Sequence, residues 1–515
     1  MHTRCPRLPN VKITKGFCPQ PRLLRSLVQI ATSELRRPPA TTLRPEAFFT
    51  PSTCRLEEAR HPPKVQIHPH SLVKMATDIL PVDPQKLGRI AFTKSNKELI
   101  DDWEIEYAEG TDFESLKRAA EELVNTDVPV AFPTETVYGL GADATRSSAV
   151  KAIFAAKGRP ADNPLIVHVH SLPQLRTLLR GNQDATNGHI ERDPIPEIYK
   201  PLIERFWPGP ITIILPAPDN SVLAPEVTAG LSTFGARMPR SILALSLLRL
   251  CGRPLAAPSA NASTRPSPTA AEHVFDDLRG KIRTIIDGGP CEVGVESTVV
   301  DGLSSPPSIL RPGGITVEQL RQCPGWENVV VGYKDKQEGG ASKPRAPGMK
   351  YRHYSPKAEV ILFEAGAGKP RFEEYQNKQK VGIIRTTSWA PALELEAERQ
   401  DESTTNGYVN GTTQAPPTNT TDTSCSRQSN LLRSVIQHQV PHAHQYKLKG
   451  SEMTIWDIDL GAETEGVARG LFSALRELDK KGVDVIYVEG IDDETGDDIA
   501  VAVMNRLRKA AEIRR

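Results

Sequence analysis

Three observations predict an α/β protein with two unequal domains. Short apolar runs alternate with amphipathic helical stretches over about 91–331 and again over about 358–515, a Gly-, Lys- and Pro-rich bridge (332–357) separates the blocks, and 515 residues exceed one ordinary domain. In the first block Val128–Phe132 reads as a buried strand, and Ser147–Ala156 as a helix with Val150, Ile153 and Phe154 on its apolar face. Pro164–Val169, Ile211–Leu215 and Ile282–Ile286 read as further strands. In the second block Val381–Ile384, Met453–Ile458 and Val483–Val488 read as strands, and Glu465–Leu478 and Asp497–Ala511 as helices.

Composition excludes several classes. Lys+Arg 64 against Asp+Glu 63 leaves +1, so the whole molecule is no general polyanion binder. No run approaches the ~18–20 apolar residues of a membrane helix. Seven cysteines without a C-x-x-C argue against a disulfide scaffold or zinc knuckle and for a reducing compartment. The charge is uneven: residues 1–75 hold 13 Lys/Arg, 4 Asp/Glu and 11 prolines. Residues 1–90 therefore read as a disordered basic extension with the Arg-rich, acid-poor character of a mitochondrial transit peptide, and Met75 as a second start yielding a cytoplasmic form. A polar insertion is expected over 391–430, because 16 of the 30 residues from Asp401 to Asn430 are Ser, Thr or Asn and there is little apolar surface to bury.

Polar clusters follow the apolar strands, where open α/β sheets bind ligands. Phe132 leads into PTETVYGLG (133–141), with hydroxyls at Thr134 and Thr136; neither a dinucleotide fingerprint nor a P-loop is present. Lys157-Gly-Arg159 ends a predicted helix, where a point charge and a guanidinium fork could converge on a phosphate chain or merely cap the helix. His168 ends the next strand, and Arg237 follows Thr233-Phe-Gly-Ala as a candidate carboxylate clamp. The stretch 256–269 (AAPSANASTRPSPT) offers small residues and hydroxyls, GVESTV (294–299) places Ser297 beside a strand, and LRPGG presents Arg311 near backbone amides. Several arginines, a lysine and many hydroxyls, without a metal cluster or Cys/His pair, suggest polyphosphate handling without a covalent nucleophile.

In this order PTETVYGLG, KGRPADNPLIVH, GLSTFGARMP, AAPSANASTRPSPT, IIDGGP…GVESTVVD, LRPGG and APGMKYRHYSP closely resemble the YrdC-type L-threonylcarbamoyladenylate synthases, in the longer form with an added C-terminal domain. The resemblance implies a twisted, mostly parallel YrdC-like sheet around a basic cavity, plus a smaller Rossmann-like α/β C-terminal domain. It implies synthesis of threonylcarbamoyl-AMP and pyrophosphate from L-threonine, bicarbonate or CO2, and ATP with Mg2+. A downstream tRNA threonylcarbamoyl transferase complex would then modify adenosine 37 of tRNAs reading ANN codons, with at most weak tRNA contact by this chain and no membrane role. Matching the motifs residue by residue, Lys157, Arg159, Ser259 and Asn261 are implied to be catalytic. Asn163, Thr233, Ser267, Arg311 and Tyr351 join Lys157, Arg159 and Ser259 as implied ATP contacts, although Thr233 also fits the amino-acid pocket. Thr134, His168, Arg237, Ala257 and Ser297 are the implied threonine contacts, no protein metal ligands are implied, and 347–356 resembles a lid. Two readings compete: an RNA-binding module without turnover, and a carbamoyl-transfer role like that of the related domain in hydrogenase maturation proteins.

Overall fold

The computed structural model describes residues 75–94, 100–182, 192–333, 353–371, 374, 377–400, 441–494 and 498–515. Most of the basic extension, the middle of the bridge and residues 401–430 of the polar insertion lie outside the described residues.

Among the described residues the first domain is built on a mixed eleven-stranded sheet. Its strands run side by side in the order Asp78–Pro81, Thr284–Asp287, Val130–Phe132, Gly139–Asp143, Leu255–Ala256, Ile166–His168, Thr233–Arg237, Ile211–Pro216, Thr298–Asp301, Ser308–Arg311 and Val330–Val331. Ladders at 78–81/284–287, 166–168/235–237 and 211–213/298–300 are parallel, whereas 130–132/139–141 and 213–216/233–236 are antiparallel. Continuous apolar runs such as Ile211–Leu215 fit this sheet because both of its faces are covered, so those residues are buried on either side.

Two boundaries read from the sequence are corrected. Asp78–Pro81 pairs in parallel with Thr284–Asp287, so ordered structure starts inside the segment assigned to the extension. At the other end, Ala397–Arg399 pairs antiparallel with Tyr446–Leu448, so the sheet reaches past 391 before the insertion begins. In both places short, partly polar edge strands carry too few apolar residues for their periodicity to register.

The second sheet is ordered Ala397–Arg399, His444–Leu448, Thr454–Asp459, Lys380–Arg385, Val485–Glu489, Glu359–Phe363, Ile513–Arg514, and its four middle strands are parallel. The helix Thr464–Lys481 buries Val467, Ala468, Leu471, Phe472, Leu475 and Leu478, a stripe at three- and four-residue spacing. Each fully buried leucine or phenylalanine contributes about 1.5–3 kcal/mol of transfer free energy. The same cluster takes in Val137 and Val295 from the first domain and Tyr354 from the bridge, so the two domains share one apolar core.

Their contact is close enough to demand glycine. Gly294 has φ +79, and a Cβ there would lie 2.4 Å from Arg469 Cα and 2.5 Å from the Ala468 carbonyl oxygen. Gly294→Ala should therefore lower stability by at least about 1–2 kcal/mol from the backbone conformation alone. Urea denaturation of the full chain measures this, and an unchanged midpoint would contradict the docking described.

Candidate active site

The helix Ser147–Lys157 is built from alanines and β-branched or aromatic core residues and stops at Gly158, which adopts a left-handed conformation (φ 63) and donates to Ala155 O. That stop directs Lys157 inward. Its ammonium is buried and donates to the Ser259 carbonyl, to Asn261 O at 2.6 Å and to Asn261 Oδ1 at 3.3 Å. Burial, then the charge of Arg159, pushes the amine well below its ordinary value. Lys157 thus ties the helix end to the 259–261 strap and is not itself among the residues that line the cavity. Asn261 completes the strap by accepting from Ser259 Oγ and donating to Ala262 O and Arg265 O.

A cleft of about 520 Å³, open mouth included, lies beside this strap. Thr134, Arg159, His168, Arg237, Ala257, Ser259, Ser297 and Arg311 all line it, so the structure brings together eight of the residues singled out from the sequence. Arg159 donates to the carbonyls of Asn163 and Pro164 and lines the cavity. Burial brings its guanidinium down to about 10. Arg311 donates to Ser297 O and Oγ, each at 3.0 Å, and Ser297 Oγ also bonds Thr212 Oγ1. Arg237 is held by Glu135 Oε1 at 2.7 Å, Thr136 Oγ1 at 2.9 Å and Gly209 O at 3.2 Å. Burial and the nearby Arg237 bring the His168 imidazole down to about 3, so it is neutral at physiological pH.

Other candidates sit behind the cleft. Ser267 is buried and donates to Glu296, and Asn163 is buried beside Arg159. Thr233 is a correction. It opens the strand at the end away from Arg237 and lines a separate surface groove with Ile214, Leu231, Asp301 and Leu303. Tyr351 lies outside the described residues. The bridge instead contributes His353 and Tyr354, whose rings stack at 4.3 Å inside the cleft.

Glu135 and Glu296 did not stand out in the sequence, although both belong to motifs noted there. For Glu296, burial works against the carboxylate, but Arg506, Arg311 and the Ser267 hydroxyl outweigh it and hold the group at about 2. Three buried atoms, Glu135 Oε2, Asn163 Oδ1 and His168 Nδ1, have no hydrogen-bond partner among the described residues. Each such atom costs about 1–3 kcal/mol, and His168, which lines the cleft, is placed for a polar ligand to complete its Nδ1. No cluster of His, Cys, Asp or Glu among the described residues could hold a metal, and Glu296, the acid lining the cleft, is engaged by Arg506 and Ser267.

A cationic, hydroxyl-lined cleft on a twisted α/β sheet with an appended C-terminal domain defines the class, and the Sua5/YciO/YrdC family model, described as "Telomere recombination", matches residues 122–313. A second model, "Threonylcarbamoyl-AMP synthase, C-terminal domain", matches 315–512. The chain is 44% identical over 420 residues to a threonylcarbamoyl-AMP synthase of Schizosaccharomyces pombe, spanning 78% of this chain and 88% of that protein. It is 39% identical to the synthase of Pyrococcus abyssi, over 81% and 97% of the two chains. The crystal structure of P. abyssi Sua5 complexed with L-threonine superposes with TM-score 0.57 at 35% identity, covering 85% of this chain and all of that one. The chain belongs to the threonylcarbamoyl-AMP synthase family, in its two-domain form.

The site's titrating groups set a direction for acid stability. His168 and His353 are both held near 3 against an ordinary 6.5, so between those values the unfolded chain binds protons that the folded chain refuses. Glu296, held near 2 against 4.5, adds a second loss at lower pH. The stability these histidines contribute is present above pH 6.5 and declines as pH falls through this window. The Tm of the full chain should drop steadily from pH 7 to pH 5, with a shallower fall in His168→Gln; a flat or rising Tm contradicts the assignment.

Proposed function

We propose that this chain joins L-threonine, bicarbonate or CO2, and ATP into L-threonylcarbamoyl-AMP with release of pyrophosphate. The observation that carries the reading is the convergence of Arg159, Arg311, Arg237 and a neutral His168 on one cleft, in a chain whose full-length relative binds L-threonine.

The threonine amine adds to CO2, losing a proton, and gives a carbamate. A carbamate oxygen then attacks the α-phosphorus of ATP, the bond to the β-phosphate oxygen breaks, and pyrophosphate leaves with that electron pair. The reaction is a nucleotidyl transfer. It needs placement and charge more than a covalent catalyst. Arg159, anchored on the Asn163 and Pro164 carbonyls, and Arg311, held against Ser297, are suited to the phosphate oxygens. Lys157 keeps the Ser259 strap beside them. Arg237 is fixed by Glu135 and Thr136, and its remaining N–H groups suit the amino-acid carboxylate. Neutral His168, with Nδ1 unpartnered, can accept from the substrate amine or hydroxyl. Mg2+ carried on the triphosphate would offset part of its charge, leaving Arg159 and Arg311 to contact the phosphate oxygens. Half-buried His353 stacked on buried Tyr354 closes the cleft, which protects a mixed anhydride from water. A transferase acting on tRNA would consume the product.

Pyrophosphate release by the full chain should require L-threonine and bicarbonate together. Arg159→Ala should lower kcat/KM by about 10²- to 10³-fold, the usual loss for one charge-stabilising donor. L-alanine should be a poor substitute, because it leaves hydroxyl partners unpaired. No release from a folded protein that still binds tRNA would replace this reading with the RNA-binding one.

A further inference from the structure

Arg506 belongs to the C-terminal helix Asp498–Ala510, yet most of its hydrogen bonds leave its own domain. Its side chain is fully buried, at 0% exposure, more than two hundred residues from its main partner. Nε donates to Glu296 Oε2 at 3.1 Å, Nη2 to Glu296 O at 3.4 Å and Nη1 to Pro312 O at 2.5 Å; a bond to Ala502 O stays within the helix. Glu296 lines the synthase cleft on its other side and accepts from Ser267 Oγ. Pro312 directly follows Arg311, and Glu296 directly precedes Ser297, which Arg311 contacts through both its carbonyl and its hydroxyl. One guanidinium therefore braces, from behind, the two turns that present Ser297 and Arg311 to the cleft.

The packing here leaves no slack. A Cβ at Gly313 would lie 2.3 Å from Thr298 N and 2.5 Å from Glu296 O, so the two turns already touch backbone to backbone. A displacement of either moves the other. The second domain also reaches the strap through Arg476, which donates to Pro266 O and pairs with Asp277 at 2.7 Å; Asp277 in turn accepts from Ala262 N. Arg476 thus contacts the outer part of the strap, whereas Arg506 reaches a carboxylate that lines the cleft itself.

We propose that Arg506 is a positioning residue of the synthase cleft, acting on the reaction through Glu296. It compensates the Glu296 charge, so that this carboxylate bonds Ser267 and does not draw Arg311 out of place, and it fixes the register of the 296–297 and 311–313 turns. The C-terminal domain is then a working wall of the site. The proposal rests on the synthase reading given above.

A double-mutant cycle in the full chain tests it, using Arg506→Gln, Glu296→Gln and the double variant, with kcat and KM from pyrophosphate release and Tm for each. A small displacement of a charge-stabilising group costs up to about 100-fold in rate, so Arg506→Gln should lose about 10- to 100-fold in kcat while KM for L-threonine stays within about threefold. Removing one partner of a buried pair strands the other, whereas removing both is far milder. The double variant should therefore recover much of the kcat lost in Arg506→Gln. Losses that multiply in the double variant, or an Arg506→Gln protein with wild-type kcat, would overturn the proposal. Should Arg506→Gln fail to fold, Arg506→Lys decides. Reduced kcat at wild-type Tm supports positioning, and undiminished kcat overturns it. If the unaltered protein releases no pyrophosphate, it is the synthase reading that fails.

Discussion

The buried ammonium of Lys157 is the contact on which the cleft depends. A lysine amine removed from water is costly unless its protons are placed, and here they go to Ser259 O and to the carbonyl and side-chain oxygens of Asn261. Those acceptors lie on a proline- and serine-rich strap that has almost no regular structure of its own. The lysine supplies what a helix or sheet ladder would otherwise provide, a fixed set of backbone partners. With the strap in place, Ser259 faces the cleft, and Ala257 and Gly139 close its floor.

Around that strap the charges are arranged in two kinds. Arg237 with Glu135, and Arg506 with Glu296, are buried cations already matched to carboxylates. Arg159 and Arg311 donate to carbonyls and a hydroxyl and line the cleft. The first kind holds geometry and the second provides positive potential in a low-dielectric space, where it counts for more than in water. Neutral imidazoles at His168 and His353 add hydrogen-bonding capacity without further positive charge.

Much of this was legible in the sequence. Apolar runs such as Ile211–Leu215 and the helix ending at Lys157 fall within a residue or two of the observed elements, because burial on both sheet faces and a Gly stop are strong local signals. The motif residues Thr134, Arg159, His168, Arg237, Ser259, Ser297 and Arg311 do converge. Local signals fail where a role is made by distant partners. Arg476 and Arg506 read as ordinary arginines of amphipathic helices, and only the folded chain shows them buried against Asp277 and Glu296. Thr233 shares a strand with Arg237, but at the strand's far end, a distance that motif membership does not encode. Edge strands at 78–81 and 397–399 escaped notice because they are short and lack a clean two-residue alternation.

The most direct measurement is the identity of the product. Full-length protein incubated with ATP, Mg2+, L-threonine and 13C-labelled bicarbonate, then analysed by mass spectrometry, should yield a threonine-containing adenylate carrying a single 13C. Pyrophosphate should appear in equal amount. Formation of ADP or AMP with no labelled adenylate would contradict the assignment of this cleft to carbamate activation.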